Sequence, residues 1–323
     1  MPTSTELSGE INLDEAAAAL GRLFPGLEQI SPLQLLDEGF SSFVVETAGW
    51  VVFRIARHAA AGEGYFRERA TLPELAARLP LPIPHPAWFA ATDAAFPHGV
   101  LGYPKLRGRA FPATAGPAVD LSTADVRLDR VAADLGQFLA ALHGVPPATL
   151  PSVQIQLAHQ RRAEWEAVRG ECLPELVGPL SPDEYYKIAA WWDEFLADLS
   201  LDDYMPAVRH GDFWFGNLLI DEREGNVAAV LDFEKLAVSD PADDFAVQYH
   251  LGESFAQEVL ELYHEAGGRR DASLPRRARR LWEIRPFEGL RWAIRFGDPE
   301  EFAQSIEKLR AGPILTPPAH GVV

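Results

Sequence analysis

The chain has 323 residues and 47% hydrophobic content, enough for two packed lobes and a sizeable core. Its formal net charge of −18 excludes nucleic acid as the main partner, because a phosphate backbone needs a basic face. No run reaches the roughly eighteen apolar residues of a membrane span, no leader pattern opens the chain, and Cys172 as the single cysteine excludes an internal disulfide, so a cytoplasmic monomer or weak dimer without a membrane partner is expected.

Residues 13–24 read as an amphipathic helix with Asp14 and Glu15 in its first turn. Three apolar-rich runs at 33–36, 43–45 and 50–55, with turns at Gly39 and Gly49, predict an antiparallel meander. A helix over 65–79 follows, where Pro73 predicts a kink or a late start. The segment PLPIPHP then forces extended backbone, and 88–91 and 99–106 read as two more strands. Beyond Gly108, helical periods dominate 131–143, 156–168 and 185–199. Two short strands at 218–220 and 227–231 bracket a turn, helices resume at Asp240, and the Pro-rich tail after Gly312 reads as loose. The pairs Arg269–Arg270, Arg276–Arg277 and Arg279–Arg280 read as a solvated loop leading into a helix, and Cys172 as an inert helix or loop cysteine. The class is α+β and bilobal: a small antiparallel-sheet lobe over 1–104 and a larger, mostly helical lobe over 105–323, hinged at about 103–108.

The stretch RHGDFWFGNLLID, followed by VAAVLDFE, carries the chemistry. Phosphoryl transfer needs an acceptor for the substrate proton and oxygen ligands that hold magnesium on the β- and γ-phosphates. Magnesium takes few protein ligands, chiefly carboxylates and amide oxygens. Asp212 on a loop, Asn217 five residues on, and Asp232 returned by a strand hairpin supply that set. Asp221 and Asn226 read as ordinary turn residues. His210 has two readings, a general base or a residue that orients the loop by hydrogen bonds, and the second is preferred. A metal-dependent hydrolase with His210 and Asp212 as ligands would need more clustered ligands than the scattered histidines offer.

HGDFWFGNLLID…VLDFEKLAVSDPADDFA resembles the signature of the aminoglycoside phosphotransferases, whose fold is protein-kinase-like. FRIARHAAAGEGYFRERATLPELAARLPLPIP is similar to the matching part of the aminoglycoside 2″-phosphotransferases and macrolide phosphotransferases, and RRLWEIRPFEGLRWAIRFGDPE resembles their late substrate-side helices. The resemblance implies a kinase that takes ATP or GTP, with Asp212 at the catalytic position and Asn217 and Asp232 at the metal-holding positions. It implies that Asp244 braces the catalytic loop and that Asp240 caps the following helix. Arg54 stands where the family usually has lysine, paired with Glu68 to position the α- and β-phosphates; an arginine is not a point charge, so this departure bears on geometry. Arg57 is a second candidate for a phosphate contact. In DEGFSS, Gly39 allows close approach and Ser41 or Ser42 offers donors to phosphate. In the connector YPKL, the Pro104 carbonyl and Leu106 amide face the purine edge and Tyr103 guards the inner pocket, which keeps GTP beside ATP as a donor. Glu234 departs from the glycine that many relatives carry after Asp-Phe. No A-P-E segment follows Asp232, which argues against a protein kinase.

For the acceptor, an aminoglycoside wants several carboxylates and a macrolide wants a wide apolar pocket with one. Glu283 and Glu288 are the carboxylate candidates nearest the resembling late helices, with Trp214, Trp282 and Trp292 as aromatic candidates. Aminoglycosides come first, then macrolides and other hydroxylated metabolites; a non-catalytic nucleotide-binding protein is the alternative outside the enzymes.

Overall fold

The computed structural model describes residues 11–39, 41–112, 126–150 and 152–316. The first helix, α1 (Leu13–Leu23), starts where the Asn12 side chain accepts the N–H groups of Asp14 and Glu15. It lays Ala16, Ala19 and Leu20 on a five-stranded sheet. The strands are β1 (Gln34–Glu38), β2 (Ser42–Glu46), β3 (Val51–Ala56), β4 (Trp88–Ala90) and β5 (Val100–Pro104), in the order β1-β2-β3-β5-β4. Every pairing is antiparallel. The central β3 is buried along its whole length, and the Phe53 ring fills the space that a side chain at Gly102 on β5 would need. Glycine is therefore required at that crossing.

Helix α2 (Ala59–Ala76) begins six residues ahead of the expected start. Its opening AAAGEG carries no apolar period, and the start is set instead by His58, whose Nδ1 accepts the N–H of Ala61 at 3.2 Å. Pro73 sits inside the helix without ending it.

The larger lobe is mostly helical: α3 (Leu128–His143), α4 (Ala158–Glu175), α5 (Pro182–Ala197), α6 (Ala242–Ala246), α7 (Glu253–Glu265), α8 (Leu274–Glu283), α9 (Arg285–Phe296) and α10 (Pro299–Ala311). Ser181 and Glu184 form a capping box at the start of α5, three residues before its expected start. Two small sheets lie among the helices. One orders β10 (Val227–Val230), β9 (Leu218–Ile220) and β6 (Arg109–Ala110); the other orders β7 (Gln154–Ile155), β11 (Ala237–Ser239) and β8 (Ala207–Arg209). Strands β6, β7, β8 and β11 escaped the sequence reading because two or three residues show no period. The lobe's core includes the stacked pair Phe138 and Phe213, with Trp192 and Phe287 edge to face.

The solvated reading of the arginine pairs fails at Arg277, which is fully buried. Its Nε and Nη2 donate to Asp240 at 3.0 and 3.1 Å, and Nη2 also reaches Asp271 at 2.8 Å. A charge satisfied this completely can be buried despite its basic neighbours in sequence. Cys172 is buried, with its Sγ toward the Phe287 carbonyl. Among the described residues no helix is long and apolar enough to cross a membrane.

Candidate active site

The chain leaves β8 into a tight loop. Gly211 holds φ at +83°, and a side chain there would strike the Arg209 guanidinium and the Lys235 carbonyl. Asp244 on α6 fixes the loop from within. Its Oδ2 accepts the N–H of His210 and its Oδ1 that of Gly211, each at 2.8 Å, while His143 Nε2 lies 3.1 Å from Oδ2. Burial pushes the Asp244 carboxyl up, but His143 and the Gly211 amide outweigh it and hold it below the ordinary value. Asp240 caps the start of α6, its Oδ1 accepting the Ala242 N–H at 3.0 Å.

His210 Nδ1 accepts the N–H of Asp212 at 3.2 Å, and Nε2 donates to the Leu231 carbonyl at 2.9 Å. That pattern assigns the proton to Nε2 and leaves a neutral ring with both nitrogens in use. Neither nitrogen is free to act as a base or a metal ligand.

Asn217 completes the network. Its Nδ2 donates to the Asp212 carbonyl at 2.9 Å, and its own carbonyl accepts the Leu231 N–H at 2.8 Å. Because His210 also ends on Leu231, the residues Asp212, Asn217 and Asp232 are tied together through one short hydrogen-bonded segment. Among the described residues no hydrogen bond ends on Asn217 Oδ1. Asp232 holds φ at +59°, a conformation aspartate tolerates better than most residues, and its carboxylate is 40% exposed.

Two cations meet Asp212. Lys235 Nζ lies 3.1 Å from Oδ2, and Arg285 Nη2 lies 3.2 Å from Oδ1. Burial pushes the Asp212 carboxyl up, but the charges of Lys235 and Arg285 hold it below the ordinary value. Sequence reasoning missed both. Lys235 stands in the quoted motif, three residues after Asp232, and Arg285, in the first turn of α9, lies in the quoted late-helix stretch, but neither was singled out.

On the sheet side, Arg54 Nη1 donates to both oxygens of Glu68 at 2.9 Å. Its Nη2 lies 3.3 Å from Glu234 Oε2 and 3.6 Å from Asp232 Oδ1. Burial opposes its charge, yet Glu68 and Asp232 keep the guanidinium pKa above the ordinary value. Glu234 Oε1 in turn accepts the Ser41 hydroxyl at 2.8 Å. One carboxylate thus takes up two of the donors expected to face nucleotide phosphates.

The other nucleotide candidates divide. Ser42 is turned inward, 2.6 Å from the Tyr65 hydroxyl. Arg57 donates to the Gly39 carbonyl at 2.9 Å and covers Phe43, so it braces the β1–β2 turn instead of facing the cleft. Tyr103 is buried on β5 opposite Val52, with its hydroxyl pushed up to about 12 by burial. Pro104 ends β5 in an exposed position, and Leu106 follows half-buried.

Glu288 and Trp292 line a cleft of about 1020 Å³ beside Gly211 and Glu234. The remaining acceptor candidates do not line it. Trp214 packs over Gly216 and against His250. Trp282 stacks on Tyr249, and Glu283 is bonded to Trp191 and Arg280.

A family model, the APH phosphotransferase enzyme family, matches residues 32–281. The chain belongs to this phosphotransferase family. A curated relative is an uncharacterized protein of Bacillus subtilis, YcbJ, 27% identical over 182 residues. That match spans 54% of this chain and 56% of the relative, so the chain covers little more than half the length of the curated protein it matches. Solved structures reach further. The GDP and kanamycin complex of APH(2″)-IIIa superposes with a TM-score of 0.78 at 21% identity, covering 92% of this chain and 97% of that one. The macrolide 2′-phosphotransferase MphH from Brachybacterium faecium gives 0.67 at 21%, with 96% and 100% covered. The streptomycin and ATP complex of APH(2″)-IIa gives 0.64 at 17%, with 95% and 99% covered. At these identities the likeness is one of fold, the kinase-like arrangement of a five-stranded antiparallel sheet beside a helical lobe.

Proposed function

We propose that this phosphotransferase moves the γ-phosphate of ATP or GTP onto a hydroxyl of a small molecule, with Asp212 at the reacting hydroxyl. The observation that carries the reading is the linkage of Asp212, Asn217 and Asp232 through Leu231 and His210. An ionised Asp212 accepts the hydrogen bond of an incoming hydroxyl and orients its oxygen. Because the transition state is loose, the proton passes to Asp212 Oδ late. Lys235 and Arg285 neutralise charge on that side. Arg54, locked by Glu68, and Ser41 hold the donor's phosphates, while Pro104, Tyr103 and Leu106 meet the base.

The exposed Asp232 carboxylate and the Asn217 Oδ1 form the oxygen donor set magnesium prefers, so these two residues would hold it. Bound there, magnesium would neutralise charge on the β- and γ-phosphate oxygens. Among the described residues no cluster of three or more His, Cys, Asp or Glu side chains could hold a metal alone.

For the acceptor, the structural relatives in complex with kanamycin and streptomycin, and the macrolide phosphotransferase, suggest an aminoglycoside first and a macrolide second. A second reading, a nucleotide-binding protein without transfer, is favoured by Glu234 sitting on Arg54 and Ser41. Asp212→Asn separates the two. Turnover should fall about 10²–10⁴-fold, the range for a lost acid–base group, with nucleotide affinity retained. Full turnover in this variant would refute the assignment.

A further inference from the structure

The cleft beside Asp212 is lined by more cations than carboxylates, although the chain as a whole is acidic. Seven of the chain's 29 Lys and Arg residues line it, against four of its 47 Asp and Glu. The cations are Arg161, Arg209, Arg285, Arg291 and Arg295 on the helical lobe, with Lys235 beside the catalytic loop and Arg67 on α2. In a molecule of formal charge −18, chance placement would put the excess the other way.

The four carboxylates lining the cleft, and Asp212 at its reacting end, are already engaged by the chain's own cations. Glu164 is paired with Arg291, Glu288 with Arg285, and Glu234 with Arg54. Asp243 is shared by Arg161 and Arg209, and Asp212 by Lys235 and Arg285. An ammonium group entering here would have to take a carboxylate from an arginine, leaving that arginine uncompensated at a site walled by protein. Most of the lining cations are engaged too, Arg291 and Arg295 by Glu171 and Arg161 also by Asp240, so an anion is served by the cation that has no such partner. Among the described residues no carboxylate pairs with Arg67, which is half-buried with its guanidinium near Gly64, and Lys235, though paired with Asp212, is 56% exposed. Low-dielectric walls concentrate such a field at the mouth of a cleft.

We infer that the acceptor is a hydroxylated molecule bearing a carboxylate or phosphate group, drawn in chiefly by Arg67, with Lys235 and Arg285 lining the same cleft, and not a polycation. Only the transferred group rests on the phosphotransfer reading above; the charge preference rests on the cleft itself. Trp165 and Trp292, which line the cleft, give a fluorescence signal for binding that needs no turnover.

The test titrates the protein, with and without ATP or GTP, using three matched sets. Glucuronate and gluconate 6-phosphate form the anionic set, glucose the neutral one, and glucosamine and kanamycin the cationic one. Nucleotide turnover is measured in parallel. The anionic set should bind at least tenfold more tightly than glucose, and the cationic set no more tightly than glucose. Arg67→Gln, at a residue with no ion pair among the described residues, should weaken anion binding about tenfold, leave glucose unchanged and shift KM more than kcat. Arg285→Gln should weaken it as well. Preferred binding of kanamycin or glucosamine, no binding by either anionic probe, or an unchanged anion affinity in Arg67→Gln would each overturn the inference. Anion preference in binding without phosphoryl transfer to any probe would sink the phosphotransfer reading and leave this one standing.

Discussion

Asp244→Asn is the sharpest test of how the loop from His210 to Asp212 is held. The wild-type carboxylate receives the amides of His210 and Gly211 at 2.8 Å each and faces His143 at 3.1 Å, fully buried. An asparagine presents one oxygen and one NH₂ group. It can accept one of the two amides, while the NH₂ opposes the other, donor against donor. Hydrogen bonds to a charged group contribute about 1.5–3 kcal/mol each, and a buried donor left unpaired costs about 1–3 kcal/mol. Together these give a loss of about 3–5 kcal/mol, a large part of the 5–15 kcal/mol typical of a folded protein. Urea unfolding followed by the tryptophans of the helical lobe reads it as a lower midpoint at unchanged slope. The control is Asp221→Asn. Asp221 also accepts two backbone amides, those of Arg223 and Glu224 at 2.8 and 2.9 Å, but in an exposed turn. Its midpoint should scarcely move. If Asp244→Asn costs under about 1 kcal/mol, or no more than Asp221→Asn, the buried-brace argument is wrong.

Other outcomes follow from the same geometry. Glu234→Gln removes the negative charge from the donors of Arg54 and Ser41, so nucleotide should bind several-fold more tightly in a fluorescence titration; weaker binding would show Glu234 assisting the phosphates. The lowered Asp212 value predicts no loss of kcat from its titration between pH 5 and 8, with the acid limb falling below the ordinary aspartate value of 3.8; a limb near neutrality would refute this. Asp244 has a folded value below its ordinary 3.8, so its contribution to stability is present above 3.8 and is lost as pH falls through the folded value. Urea midpoints measured downward from pH 5 should show the wild type losing stability that Asp244→Asn has already lost. Cys172, with its thiol pushed up to about 12 by burial, should react with a thiol reagent only after unfolding.

Much of this protein was legible in the sequence because the relevant constraints are local. The trio Asp212, Asn217 and Asp232 lies on one short loop and the hairpin after it, so order and spacing specify that the three come together. The sheet strands showed through their apolar runs, and Asp244 through the motif around it. The opening of α2 did not show, because AAAGEG has no apolar stripe and its start depends on the His58 side chain.

Tertiary structure alone decided what surrounds those residues. Arg285 meets Asp212 across 73 positions, and Glu234 meets Ser41 across 193. No pattern within either segment encodes the partner, since a side chain's pairing depends on how distant elements pack. Arg277 shows the same limit, being a buried ion-pair centre within a run of basic residues. The excess of cations in the cleft's lining is a further case. Composition counts charges over the whole chain, whereas electrostatic attraction at a site depends on which few of them the fold brings within reach.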